Sequence, residues 1–317
     1  MPLTMDEKLL TLSRKVVEGF DKANGGVHPG FRPAHAKGIL LTGAFTPSSE
    51  AVSLTRALHI QRKSTPVTVR LSDFAGIPTV ADNDAQNASP RGCVIRFHLA
   101  DHVHTDIVAH SVDTFPSSTA EGFLDFLNAL IATDPNGPHP NAIEQYLGSH
   151  PAVLTFVQTP KPIPTSFAKE SFFAVSAFKF TNANGVSRYG RYRILPVAGN
   201  EYLDDAAAAA KSPNFLFDEL KERIAKEPVK FRIVVQLAND GDTTDDATVR
   251  WPEDRPQLTL GEISLTAIAP ENPGEQQRLI FDPIPRVDGI EASADPLFEP
   301  RANVYLLSGR RRRAASQ

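Results

Sequence analysis

The extended segments of this chain fall into two groups, with helical stretches inserted between them rather than alternating with single strands, and that order restricts the fold more than any other feature. Residues 38–43, 65–72, 92–99 and 104–110 are short apolar or alternating runs bounded by Gly, Pro, Asp or Asn, the pattern of strands. A second group holds residues 172–180 and 186–196, two alternating runs joined through Asn182, Ala183, Asn184 and Gly185 in hairpin-turn chemistry, followed by 231–237 and 258–268. A parallel doubly wound sheet needs a helix after each strand. The observed order instead predicts an α+β fold: an antiparallel eight-stranded β-barrel with inserted helices. Helices are expected at 6–21, where Leu9, Leu10, Leu12, Val16, Val17 and Phe20 recur near every 3.6 residues, at 119–133, with Phe123, Phe126, Leu127, Leu130 and Ile131 on one face, and at 215–226. Ala206 to Ala210 reads as a helical linker turn and the acidic run from Asn239 to Asp246 as a solvated loop. No repeat and no boundary divides residues 1–317, which read as a single domain.

Composition excludes more than it selects. A net charge of -4 and a pI near 6.1 give no pull toward nucleic acid or an anionic membrane. The single cysteine, Cys93, rules out an intrachain disulfide framework and a cysteine-cluster metal site, which suits a reducing compartment. The first residues carry acids and a lysine where a secretory signal needs an apolar stretch, and no apolar run approaches the roughly 20 residues of a membrane span. A cytoplasmic protein is expected, with neither nucleic acid nor membrane as partner.

Several clusters of functional residue types have plain readings. His98, His102, His104 and His110 suggest zinc, but in strands this spacing splits the rings between opposite faces, and no His-Glu-x-x-His pattern is present. Arg310 to Arg313 read as a solvated tail or a local anion site, and the pairs Asp204–Asp205 and Asp245–Asp246 as solvated charge in polar loops. Arg301 and Tyr305 are more suggestive. Positions i and i+4 share a helix face, and a guanidinium within hydrogen-bond reach favours the phenolate, a hard oxygen ligand that haem iron accepts. By itself such a pair reads first as a stacked surface pair.

Its weight comes from what surrounds it. Phe31, Arg32 and His35 precede the Gly38 turn; Thr68, Arg70 and Ser72 follow; then come Pro90-Arg91-Gly92, Asp106 to Ser111, Phe281-Asp282-Pro283, Gly289 to Pro296 and Arg301 to Tyr305. In this order, from about His28 to Arg312, the segments resemble the haem catalases, and especially the short catalase-related peroxidases. The resemblance implies haem b as cofactor, with ferric iron bound by Tyr305 and Arg301 as its charge partner. It implies a distal His35 oriented by Ser72, propionate binding by Arg32, Arg70 and Arg312, and Phe123 packed on the haem face. Peroxide would then be cleaved with His35 passing its proton to the departing oxygen.

Three departures from the family pattern stand out. The distal amide position is taken by His110, a bulkier ring open to protonation, and is counted with His35 and Ser72 among the catalytic candidates. The bulky valine that precedes the distal histidine in large catalases is Ala34, which widens access. The chain also lacks the long N-terminal arm and the C-terminal helical domain of full-length catalases. The expected activity is a haem peroxidase reducing hydrogen peroxide or organic peroxides with small organic electron donors, with weak catalase activity, as a monomer or small homo-oligomer. Two alternatives are a catalase-like fatty-acid hydroperoxide-transforming enzyme of the allene oxide synthase type and a non-enzymatic haem-binding protein.

Overall fold

The structure, a computed structural model, describes residues 3–315. Ten strands, β1 (Gly38–Pro47), β2 (Thr65–Ser72), β3 (Gly92–Ala100), β4 (Val103–His110), β5 (Phe172–Phe173), β6 (Phe178–Thr181), β7 (Ser187–Pro196), β8 (Val229–Leu237), β9 (Gln257–Ile268) and β10 (Ile290–Ala292), form one antiparallel sheet. A pairing between β7 and β8 closes it on itself. Because β5 and β6 both pair with β7, they act as one interrupted stave, and the closed barrel has eight. Among the described residues eight α-helices decorate it: α1 (Glu7–Ala23), α2 (Ala120–Ile131), α3 (Ala142–Ser149), α4 (Pro151–Gln158), α5 (Asp205–Ala209), α6 (Phe215–Ile224), α7 (Asn272–Arg278) and α8 (Phe298–Ala314). None is long and apolar enough to cross a membrane.

The expected strands and helices are present, with one correction. Residues 172–180 do not form a continuous strand. Between β5 and β6 the chain leaves the ladder, and Ser176 turns to accept a hydrogen bond from Arg301 on α8. Helices α3, α4 and α7 and the short β10 were not expected. Asn141 and Glu144 form a reciprocal cap that starts α3, and Pro151 opens α4 at a position where its missing N–H costs nothing. The loop read as solvated is tied down: Arg255 grips Asp242 through two hydrogen bonds of 2.7 and 2.9 Å, Trp251 Nε1 donates to the Thr243 carbonyl at 2.7 Å and Arg191 Nη2 to the Asp246 carbonyl at 3.0 Å.

Alternation along β1 to β4 builds two environments from one sheet. Val67, Val69 and Leu71 of β2, Cys93, Ile95 and Phe97 of β3, and Ile107 and Ala109 of β4 point into the barrel and join its core. The residues between them point outward, toward α1, α2 and α8. Pairing aligns these outward residues in rungs: Ser72, Gly92 and His110 lie on one, and Arg70, Val94 and Val108 on the next. Phe97 anchors the inner side; it is fully buried, with its ring edge-on to Phe45 at 5.2 Å and tilted over His59 at 4.6 Å. Phe97→Ala should lower the unfolding free energy by about 3–5 kcal/mol, read as a shift of the urea midpoint at unchanged slope.

Candidate active site

Between the outer face of β2–β4 and the helices lies a cavity of about 1340 Å³. That exceeds the roughly 300–1,000 Å³ of ordinary ligand pockets, so a large planar cofactor and a small reactant can share it. Every site residue singled out from the sequence, His35, Ser72, His110, Arg32, Arg70, Phe123, Arg301, Tyr305 and Arg312, contributes to its wall, and so does Ala34.

His35 reaches the cavity from the loop before β1 with a backbone φ of 58°, the left-handed region that side chains rarely adopt. Its own N–H donates to the Phe74 carbonyl at 2.5 Å, and its carbonyl accepts from Arg70 Nη2 at 2.8 Å. These bonds hold a conformation that costs on the order of 1–3 kcal/mol. The ring nitrogen Nδ1 lies 3.0 Å from the Asp73 carbonyl and 3.2 Å from Ser72 Oγ. A carbonyl only accepts, so Nδ1 carries the proton and Nε2 is left as a base. Gly92 makes room for this: a Cβ there would stand 2.5 Å from Ser72 Oγ and 2.8 Å from His35 Nδ1. Burial, with Arg70 and His110 adding to it, lowers the His35 pKa to about 3.

His110 ends β4 on the same rung as Ser72 and Gly92. Here the sense is reversed: the Val112 N–H donates to His110 Nδ1 at 3.3 Å, which places the proton on Nε2 and makes that atom a donor. The expectation that this ring is open to protonation is corrected. Burial first, then the charges of Arg301 and Lys161, hold its pKa at about 3. The cavity therefore presents two neutral imidazoles, one accepting and one donating.

The arginines converge on a segment that the sequence did not flag. Arg32 donates to the carbonyls of Gln276 and Leu279 at 3.0 and 3.1 Å, Arg70 Nε to Gln276 Oε1 at 2.9 Å, and Arg312 Nη2 to the Leu279 carbonyl at 2.8 Å. The C-terminal end of α7 and the residue after it thus gather three buried cations, where the helix carbonyls favour positive charge. Burial and mutual repulsion lower all three pKa values, Arg70 to about 9 and Arg312 to about 8. No carboxylate forms an ion pair with Arg32 or Arg70 among the described residues. Buried cations in such a cluster suit an anionic ligand group better than water.

Tyr305 and Arg301 lie one turn apart on α8. Arg301 Nη1 donates to Ser176 Oγ at 3.4 Å, and the hydrogen bond to the phenol suggested by the spacing is not made. Tyr305 instead acts electrostatically on Arg32 and favours its charged form. Phe123 packs against Phe20 and Phe115, with centroids 5.5 and 5.3 Å apart. A tyrosine hydroxyl on the wall, an apolar ring surface and buried cations make a donor set that fits a haem with its two carboxylates. Of the four clustered histidines, His98 and His104 face each other across β3 and β4, with His98 Nε2 bonded to Thr68 at 2.9 Å.

The neutrality of His110 has a measurable consequence. The unfolded ring takes up a proton near its ordinary pKa of 6.5, whereas the folded ring stays neutral down to about 3. This contribution is complete above pH 6.5 and is lost as the pH falls toward 3. The unfolding free energy of the unmodified protein, relative to His110→Asn, should fall by about 1.4 kcal/mol per unit between about pH 6 and 4. A difference that does not vary with pH would mean that the ring is charged in the fold.

Comparison with known proteins agrees with the geometry. A sequence model of the catalase family matches residues 29–316. The chain is 34% identical over 290 residues to a catalase-related peroxidase of Mycolicibacterium paratuberculosis, covering 90% of each chain, and 33% identical over 287 residues to one of Synechococcus elongatus, covering 89% of this chain and 84% of that one. The crystal structure of a fungal catalase overlays all of the chain with a TM-score of 0.78 at 21% identity, the chain spanning 65% of its length. The barrel, the cavity and these relatives lead to one conclusion: the chain belongs to the catalase family, whose members are haem-dependent oxidoreductases.

Proposed function

We propose that this protein is a haem b peroxidase that reduces hydrogen peroxide or organic peroxides with one-electron organic donors, and that it dismutates peroxide only weakly. The observation that carries the reading is the pair of neutral imidazoles of opposite hydrogen-bonding sense, His35 and His110, in one cavity with Tyr305 and three buried arginines.

Tyr305 is the iron ligand in this proposal, Arg32, Arg70 and Arg312 hold the propionates, and Phe123 packs on the ring. Haem, when bound, supplies the two-electron chemistry by which a peroxide O–O bond is reduced. His35 Nε2 accepts the peroxide proton and returns it to the departing oxygen, while Ser72 and the Asp73 carbonyl keep the ring in the required tautomer. His110 Nε2 donates to the peroxide, in the sense that an amide N–H at this place would, but from a larger ring. Efficient dismutation needs a second peroxide held tightly in place, and a misplacement of about 1 Å can cost about 10²-fold. His110 and the small Ala34 both loosen that hold. The mouth is apolar as well: Leu130, Ile131 and Val157 line the cavity and are partly exposed, which suits an organic reactant. The same observation keeps a second reading alive, conversion of an amphipathic hydroperoxide without any donor.

Stopped-flow mixing of the haem-loaded protein with hydrogen peroxide, with and without a phenol, separates these activities. Oxygen release at the rate of a large catalase with no phenol oxidation would overturn the peroxidase reading. Tyr305→Phe should lose haem on purification or shift the ferric spectrum, and full loading with an unchanged spectrum would remove Tyr305 as ligand. His35→Ala should keep its haem but react with peroxide at least about 10²–10⁴-fold more slowly, and an undiminished rate would assign the proton transfer to another group.

A further inference from the structure

A chain of aromatic rings leads out of the cavity. Phe126 lines the wall, with its centroid 6.4 Å from that of Phe123. Behind it, and not part of the wall, the Tyr146 ring on α3 is stacked on Phe126 at 6.3 Å and 29°. The exposed His150 ring then stacks on Tyr146 at 3.7 Å and 9°. Tyr146 thus lies one ring behind the cavity wall and is itself partly exposed. Its hydroxyl is fixed, donating to the Gly122 carbonyl of α2 at 3.1 Å. Asp125, three residues along the same helix and exposed, acts electrostatically on that phenol.

We infer that Tyr146 is a second donor-oxidation site, at which phenolic or hydroquinone donors too large to enter the cavity are oxidised from the protein surface. The inference rests on the peroxidase reading, which supplies the oxidant: haem oxidised by peroxide. One electron passes from Tyr146 through the packed Phe126 and Phe123 rings to the oxidised centre. The phenolic O–H bond breaks, its proton goes to solvent at the partly exposed ring, and a neutral tyrosyl radical remains. A donor at the surface gives a hydrogen atom to the phenoxyl oxygen, which restores Tyr146 and leaves a donor radical. Two such cycles use the two oxidising equivalents of one peroxide, so that one ROOH and two donors DH yield ROH, water and two D radicals.

The geometry suits this role in three ways. Tyrosine is oxidisable where the flanking phenylalanines are not, so an electron hole that leaves the cavity by this route settles on Tyr146. Successive ring centroids along the path stand only 6.4 and 6.3 Å apart. The phenol is partly exposed and bonded to a backbone carbonyl, which cannot keep the proton, so the proton is lost to solvent.

The test uses the haem-loaded protein and two forms of one donor, 2-methoxyphenol free in solution and the same phenol coupled to dextran. Tyr146→Phe should oxidise the free phenol at close to the unmodified rate, which also shows that the variant is folded and loaded. It should oxidise the tethered phenol about tenfold more slowly or worse. Rapid freezing after mixing with hydrogen peroxide should give a tyrosyl signal in electron paramagnetic resonance for the unmodified protein and for Tyr189→Phe, an exposed tyrosine on β7, but not for Tyr146→Phe. A tethered phenol oxidised equally well by Tyr146→Phe, or a tyrosyl signal that survives in it, overturns the assignment and leaves the peroxidase reading standing. If neither phenol is oxidised by the unmodified protein, the peroxidase reading fails and this inference falls with it.

Discussion

The pairing register of β2, β3 and β4 is the constraint on which the rest of the molecule depends. Side chains along a strand alternate between faces, so the same three strands fill a hydrocarbon core with Leu71, Cys93 and Ile107 and furnish a polar site with Arg70, Ser72 and His110. A slip of one residue would exchange the two sets. It would drive the Arg70 guanidinium and the His110 imidazole into the barrel, where neither has a partner, and that penalty holds the register. The requirements of the core and of the chemistry are therefore met by a single choice of pairing.

Cross-strand geometry also explains the spacing of the site. Ser72, Gly92 and His110 share a rung, which separates the support of His35 from His110 by two inter-strand steps, roughly 10 Å between backbones. In the proposed mechanism, that span would let the two imidazole rings work on one small molecule from different sides. Gly92 sits between them because nothing larger fits under His35. The two rings are kept distinct by what meets each Nδ1: the Asp73 carbonyl, with Ser72 Oγ beside it, fixes one tautomer and the Val112 N–H the other. Neither ring needs a charge to play its part.

The legible portion of the sequence is the portion whose information is local. Strand periodicity at 65–72 and 92–99 and helix periodicity at 119–133 came through because alternation and the 3.6-residue stripe are set by burial on one side. The break within 172–180 was hidden, since the apolar run is continuous and the partner that Ser176 meets at the break, Arg301, lies more than a hundred residues away. Helix α7 was missed because Asn272, Pro273 and Gly274 read as a turn, and α3 and α4 because they bury almost nothing and leave no clear stripe. Ordered motifs revealed which site residues come together. They did not reveal that Gln276 and Leu279 hold the arginines, or that burial keeps His110 neutral, because both depend on neighbours distant in the chain.

Placing Arg32, Arg70 and Arg312 beneath the end of α7 also decides how the site responds to its medium. At about 0.15 M salt, mobile ions screen exposed charges over about 8 Å, and they do so by gathering around them. The Arg70 and Arg312 guanidinium groups are buried out of reach of such an atmosphere. A surface patch of the same three charges would lose much of its hold on an anion as the solution became more concentrated. In the proposed role of holding haem carboxylates, this cluster would keep its attraction nearly independent of ionic strength, and cofactor retention would be insulated from the salinity of the surroundings.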